Sequence, residues 1–440
     1  MRTTTFAGAV LTMVLFGAQA GAVLASVPND AAAARPATVI TVTSHEDVNR
    51  AIADARAGDT VFLKPGVYRG PVTVDKSITL SSTQATVQAP QGGAAISVTA
   101  DNVTVDSVGT TCPGVARTSQ GINVTGQHVR VVGSTVLQCP TGIVLNGATD
   151  AYLQGDALLS QDSSGGASTG VDATGADGLT MLSNTVEGLA LGVAMDNTSA
   201  PLLDGNTFTE VGTAVSLDSV ADAVINGTLV IGARGPAVLV TGSRGAEIAR
   251  LNSSGNGSGS SAAIQLSAGS GPSWVVTVED SDFAHFASGL QVDAGSINAG
   301  VTVMGTRFDG VKGTAIVVAP GSGGTVDATI GDYFGGCGPN AADHGYDGGG
   351  APVNDPDKVV SYREHNCKAP AASSLAATGA GSSPPAGTDQ NATPPDTNAH
   401  GGIDLPSVIG STLVTVGVSL LLATCAVGVL YAIRRSRHPS

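Results

Sequence analysis

His128, Arg130, Tyr152 and Asp106 come from three short segments that align without gaps. Set beneath one another, the segments DNVTVDS from Asp101, QHVRVVG from Gln127 and TDAYLQG from Thr149 put Val103, Val129 and Ala151 in one column. If each segment is a strand with that column inward, period-two alternation turns Thr104, Arg130 and Tyr152 outward. Asp106 and Gln154 then project from one end of the strands, and His128 and Asp150 from the other. Stacking at ~4.8 Å would bring Arg130 beside Tyr152 and His128 beside Asp150. A fixed cation suits a carboxylate, an imidazole suits proton transfer near neutral pH, and carboxylates flanking a ring suit glycosidic chemistry. The candidate catalytic residues are therefore Arg130, His128 and Asp106, and the candidate ligand-binding residues Arg130, Tyr152, Asp150 and Gln154. Outward positions of any stacked repeat are polar, so a solvated face accounts for the same cluster and is the reading the pattern favours.

A second charged group, Glu279, Asp280 and Asp282 with Arg307 and Asp309, is acidic enough to suggest Ca²⁺. Its EDSD stretch falls where a strand should turn, and Asp and Ser are favoured there for turn geometry alone. The segment 342–358 holds four Asp but lacks the spacing of a twelve-residue Ca²⁺ loop and reads as an irregular cap. No cofactor is expected from these patterns, with Ca²⁺ the one candidate. No CxxC occurs and the seven His do not cluster, which argues against a transition-metal site. Of five cysteines, Cys112, Cys139, Cys337 and Cys367 read as disulfide partners, and Cys425 sits in an apolar run. Four cysteines allow three pairings; Cys112 and Cys139 lie about one repeat apart, and Cys337 with Cys367 would staple the C-terminal end. Trp274 is the single tryptophan, beside six Tyr. That scarcity of aromatic platforms counts against a dedicated polysaccharide-degrading enzyme.

Positioning of these residues falls to a repeat. Short apolar strands headed by a small residue recur as GINV at Gly121, GIVL at Gly142, GVDA at Gly170 and GVAM at Gly192, and continue to GTAIVV at Gly313. Their spacing of 20 to 28 residues is one coil of a parallel β-helix and not a heptad or a helical-repeat period. Between them runs a second segment that closes on Val136, Phe208, Phe283 or Phe308, predicting a ladder of like residues in the core. Strands this short are stable only when each coil pairs with the next. Ahead of them, SHEDVNRAIADARAGD predicts a short helix with Ser44 as N-cap and Val48, Ile52 and Ala55 on one face, covering the open first coil.

The stretch AGDTVFLKPGVYRGPVTVDKSITLSS, 57–82, strongly resembles the opening coil of the right-handed β-helix repeat proteins of the pectin-lyase-like superfamily, which include NosD-like periplasmic members. GDYFGGCGPN at 331–340 is similar to the closing segment of bacterial surface β-helices, and the resemblance spans residues 39–332. It implies an all-β right-handed parallel β-helix of about 11 or 12 coils. It also implies a choice of chemistries, since lyases of the superfamily use Ca²⁺ on acidic residues with an Arg base and the hydrolases use paired Asp.

Residues 1–25, with Arg2 before an apolar run, read as a secretory signal, and 39–367 as the β-helix with its caps. Residues 368–404 are rich in Pro, Ala, Ser and Gly and read as a stalk. The uncharged run 408–433 is long enough to span a bilayer as a C-terminal transmembrane helix, with 434–440 as a basic cytoplasmic tail; LAATG at 375–379 resembles a sortase motif but stands far from that run. The formal charge of −15 excludes nucleic acid as a natural partner. These readings converge on a bacterial single-pass cell-membrane protein with its N-terminal domain outside, presenting a non-catalytic face to a glycan or cell-envelope protein partner. The alternative is a polysaccharide lyase or glycoside hydrolase of the pectin-lyase-like type, and a third is an accessory factor in metal-centre maturation.

Overall fold

The computed structural model describes residues 36–112, 114, 118–160, 168–257, 261–330 and 353–362. All belong to the first of the two units into which the chain divides, Met1–Ala376. They form one right-handed parallel solenoid of three sheets. Among the described residues, sheet A has 14 strands, sheet B 11 and sheet C 12, with each strand paired to its counterparts one coil before and after.

The five coils from Thr104–Asp106 to Thr213–Asp218 spend three residues on sheet A, three on sheet B and five or six on sheet C. A three-residue strand has one inward residue, and these stack in register. In sheet A the column runs from Val61 and Leu80 through Val105, Val131 and Leu153 to Val278 and Val303, all at most 1% exposed. Sheet B carries the expected aromatic ladder. Phe208 is in register with Val230, Ser253 pairs with Phe283, and the Phe283 and Phe308 rings meet edge to face at 5.5 Å. Thr110 occupies the same column between Val87 and Val136, fully buried with its hydroxyl unpartnered.

The small residue that heads each sheet C strand has a steric cause. A Cβ on Gly192 would lie 2.4 Å from the Ala214 carbonyl oxygen and 2.6 Å from Cδ1 of Phe208, so sheet C passes sheet B too closely for a side chain there. Ala95, Ala214, Ala237 and Ala263 stand at the same place on other coils, while a Cβ on Gly289 would again meet a phenylalanine, 2.2 Å from Cδ1 of Phe308.

The corner from sheet A to sheet B is fixed: two residues separate the strands from Leu63 and Gly66 through Met304 and Arg307. The first is commonly left-handed (Ser107, Gly155, Ser183, Asp280) and the second buried (Val108, Asp156, Asn184, Ser281). The corner from sheet B to sheet C varies, with three residues between Glu187 and Leu191 but nine between Leu159 and Thr169. A disulfide staples this corner across two coils, joining Cys112 to Cys139 at a separation of 27 residues. Closing such a loop is worth about 3–4 kcal/mol in the chain-entropy picture. Cys337 and Cys367 lie outside the described residues.

The N-terminal helix is Val48–Asp54, with Val48 and Ile52 buried against the first coil. Its N-cap is Asp47, which accepts from Asn49 N at 3.0 Å, and not Ser44. Thr43 and Glu46 close their own turn through Glu46 N to Thr43 O and Thr43 N to Glu46 Oε2, so the helix starts one turn later than the motif suggests.

The fold class needs one correction. No helix among the described residues is long and apolar enough to cross a membrane; the helix present has seven residues, about 10 Å of rise against ~30 Å of hydrocarbon. Residues 408–433 lie outside the described residues, as do 1–25, 368–404 and 434–440, and the expected anchor rested on hydropathy, which reports an affinity for lipid and not a conformation. The architecture is an all-β β-helix with one short N-terminal helix. The transmembrane helix, the membrane as a partner and the single-pass cell-membrane location are not retained.

Candidate functional site

Sheet A brings the predicted cluster together. The strands Thr104–Asp106, Arg130–Val132 and Tyr152–Gln154 are consecutive, with Thr104, Arg130 and Tyr152 in one row and Asp106, Val132 and Gln154 in another. Val103, Val129 and Ala151 are buried beneath them, which fixes the outward direction of their neighbours. The Arg130 guanidinium carbon lies 4.0 Å above the centre of the Tyr152 ring. Such a contact orients the guanidinium while leaving its N–H edges to a ligand. The Tyr152 hydroxyl hydrogen-bonds Gln154 Oε1 at 2.9 Å.

His128 and Asp150 stand at the turn entering these strands, both with positive φ, 54° and 52°. His128 Nε2 is 3.2 Å from Asp150 Oδ2, with the two side chains 54% and 61% exposed. A pair that open adds little to stability, so its geometry is available for proton transfer. Asp106 stands apart from it: Oδ1 accepts from Ser107 Oγ at 2.8 Å, and Val132 separates it from Gln154 along the row. The site is thus Arg130, Tyr152, Gln154, His128 and Asp150, with Asp106 at its border.

The second charged group does not converge. Asp282 faces Arg307 on the next coil, Arg307 Nη1 to Asp282 Oδ2 being 3.9 Å. Among the described residues no three His, Cys, Asp or Glu are placed to hold a metal ion. Within 342–358, Asp355 Oδ2 accepts from Val360 N and Asp357 Oδ2 from Gly321 N, both at 2.7 Å; residues 342–352 lie outside the described residues.

One arrangement escaped the sequence. On the outer face of sheet C, Asp196 and Asp218 are register partners, and Asp172 is on the coil before, in line with Ala194. A shallow depression elsewhere on sheet C, lined by Thr169, Leu191, Thr213 and Leu239, does not include them. A search for paired Asp within a motif misses a pair made by two residues 22 apart that coil register sets side by side. The signal lay in the repeat itself, as an acidic residue at the end of successive sheet C strands.

Comparison with known proteins agrees on architecture. The family model described as right handed beta helix region matches residues 120–275 and 191–330. Among solved structures, the chain resembles the A-module of mannuronan C-5 epimerase AlgE6 from Azotobacter vinelandii, at 16% identity over 66% of this chain and 95% of that one, with a TM-score of 0.46. The catalytic unit of a GH87 α-1,3-glucanase from Streptomyces thermodiastaticus strain HF3-3 matches at 16% identity over 68% and 69%, TM-score 0.45. An alginate lyase from Paenibacillus sp. str. FPU-7 matches at 14% over 72% and 99%, TM-score 0.41. No curated protein sequence matches the chain. The family model and the three stacked parallel sheets agree on a right-handed parallel β-helix. The expected tether of this protein at the membrane is corrected: no helix among the described residues is long and apolar enough to cross one.

Proposed function

We propose that this β-helix acts on an acidic polysaccharide as a lyase, with the outer face of sheet A as its site. The observation that carries the reading is the Arg130–Tyr152 stack beside the His128–Asp150 pair. Arg130 pairs with the carboxylate of a uronate ring and stabilises the charge that grows on it as the neighbouring C5–H bond breaks. His128, oriented by Asp150, takes that proton. The electron pair forms the C4–C5 double bond, the C4–O bond breaks, and the departing oxygen takes a proton from the Tyr152 hydroxyl. Gln154 holds that hydroxyl in the resting state. The opening coil at 57–82 supports placing the chain near the NosD-like members of the superfamily.

A second reading, hydrolysis, is favoured by the Asp196 and Asp218 pair, since two adjacent carboxylates are what glycosidic hydrolysis uses. One assay separates the two. Incubation with polygalacturonate and alginate should yield products absorbing in the ultraviolet through their new double bond, and Arg130→Ala should abolish this while leaving the melting temperature unchanged within about 1 °C, as an outward Arg touches no core. Reducing ends without that absorbance, lost in Asp218→Asn and kept in Arg130→Ala, would replace elimination by hydrolysis on sheet C. No product of either kind from any acidic polysaccharide would sink both.

A further inference from the structure

The row of turn residues that holds His128 and Asp150 continues along the edge of sheet A through Ala200 and Asp222 to Val275. All have positive φ. His, Asp and Ala tolerate that conformation with modest strain, but a β-branched residue there is an outlier. Val275, with φ of 35°, is the only β-branched residue with positive φ among the described residues. It is 55% exposed, and Trp274 before it is 52% exposed. Core packing accounts for neither side chain. Trp274 is in register with Arg244, an exposed residue one coil earlier. The largest apolar side chain of the protein is therefore held outward, next to a strained residue and in register with a cation. Strain of this kind concentrates where a ligand is met.

We infer that Trp274 and Arg244 form a distal subsite for an acidic polysaccharide lying along sheet A. The inference rests on the lyase reading above and extends it. The indole presents a flat apolar face to the C–H face of a pyranose ring, and Arg244 pairs with that ring's carboxylate. Five coils separate the strand of Tyr152 from that of Trp274, about 24 Å at ~4.8 Å per coil, a span that several rings of an extended polymer cover. Asp177, Gly178, Ser199, Ala200, Ala221 and Asp222 occupy the edge between; their side chains are short and leave the path low, with the exposed carboxylates of Asp177 and Asp222 bordering it. The polymer would run parallel to the solenoid axis, its reacting end at Arg130 and a remote ring on Trp274.

Because Trp274 is the single tryptophan of the chain, its fluorescence reports on this place alone. The full chain is titrated with oligogalacturonates and with alginate oligomers, each from the dimer to the octamer, followed in parallel by fluorescence and calorimetry. Only the longer oligomers should change the emission. Trp274→Ala should weaken their binding about tenfold, a decade being about 1.4 kcal/mol, and leave the dimer unaffected, whereas Trp274→Phe, which keeps a flat ring, should retain most of the affinity. Binding of long oligomers that leaves the emission unchanged overturns the subsite and spares the lyase reading. So does a Trp274→Phe variant as weak as Trp274→Ala. If no oligomer binds by calorimetry at millimolar concentration, the lyase reading fails and the subsite fails with it.

Discussion

Asp156 is the second residue of its sheet A to sheet B corner, at the place taken by Asn184 and Asn206 on the next two coils. There the asparagines form a ladder: Asn184 Nδ2 donates to Leu153 O and to Asn206 Oδ1, and Asn206 Nδ2 donates to Met181 O. Asp156 accepts from Ser134 N through Oδ1, but its Oδ2 is buried without a partner where an amide would donate. Burial pushes its pKa well above the ordinary carboxylate range, against the smaller opposing effect of hydrogen bonds from the Ser134 and Gln154 backbone. A group with a raised folded-state pKa favours the folded state least once the unfolded chain ionises. Stability should thus fall as pH rises from the unfolded value of about 3.9 toward the folded one, and stay level above it. Asp156→Asn supplies the missing donor, with Val131 O, the register partner of Leu153 O, as its acceptor. It should raise stability by about 1–3 kcal/mol at neutral pH and by less near pH 3; urea melts at the two pH values check both the gain and its shrinkage. An equal gain at both would mean that the carboxyl is not held protonated.

Elements show where the sequence was legible and where it was not. The aligned segments placed Arg130 over Tyr152 correctly because both the inward column and the outward row repeat with the coil, and repetition is visible in one dimension. Phe283 and Phe308 were legible for the same reason. The helix start was not, because Ser44 and Asp47 both suit an N-cap and only the Thr43–Glu46 turn decides between them. Asp196 beside Asp218 is not legible in any local motif, because coil register and not chain proximity sets the two side by side. Thr110 is another feature no pattern announces, a hydroxyl inside an aliphatic ladder. Thr110→Val keeps the shape and removes the unpaired group, so it should stabilise the fold by about 1 kcal/mol. A lower melting temperature would show that the hydroxyl has a partner, such as a buried water.

For the molecule as a whole, each described coil is paired with its two neighbours, so stability builds up coil by coil. Leu191 and its partner Thr213 are 22 residues apart, and removing 191–212 takes out one complete coil without changing the face of any remaining residue. That deletion should still fold, with a far-ultraviolet β spectrum and a cooperative melt at somewhat lower temperature. Removing 191–201 instead should abolish the cooperative transition, because half a coil sets the core residues of one sheet against the outer positions of another. If both deletions behave alike, register is not what holds the coils together. The same periodicity explains what could be read at this scale. The solenoid was evident from spacing, whereas the anchor was inferred from an apolar run and the basic residues after it, a composition that does not repeat along the chain.

The uneven corners carry a consequence for change over time and for engineering. Two residues join sheet A to sheet B in coil after coil, and the buried ladder behind them gives no room for a third. The corner from sheet B to sheet C accepts three residues or nine with the pairing of the strands on either side intact. The solenoid therefore has one permissive seam, running along a single edge, at which new sequence can be spliced as long as the buried corner residue, such as Leu189 or Val211, is kept. A foreign peptide inserted between Glu187 and Leu191 would be carried on the outside of a rigid rod, with its neighbours above and below available for a second insertion about 5 Å away.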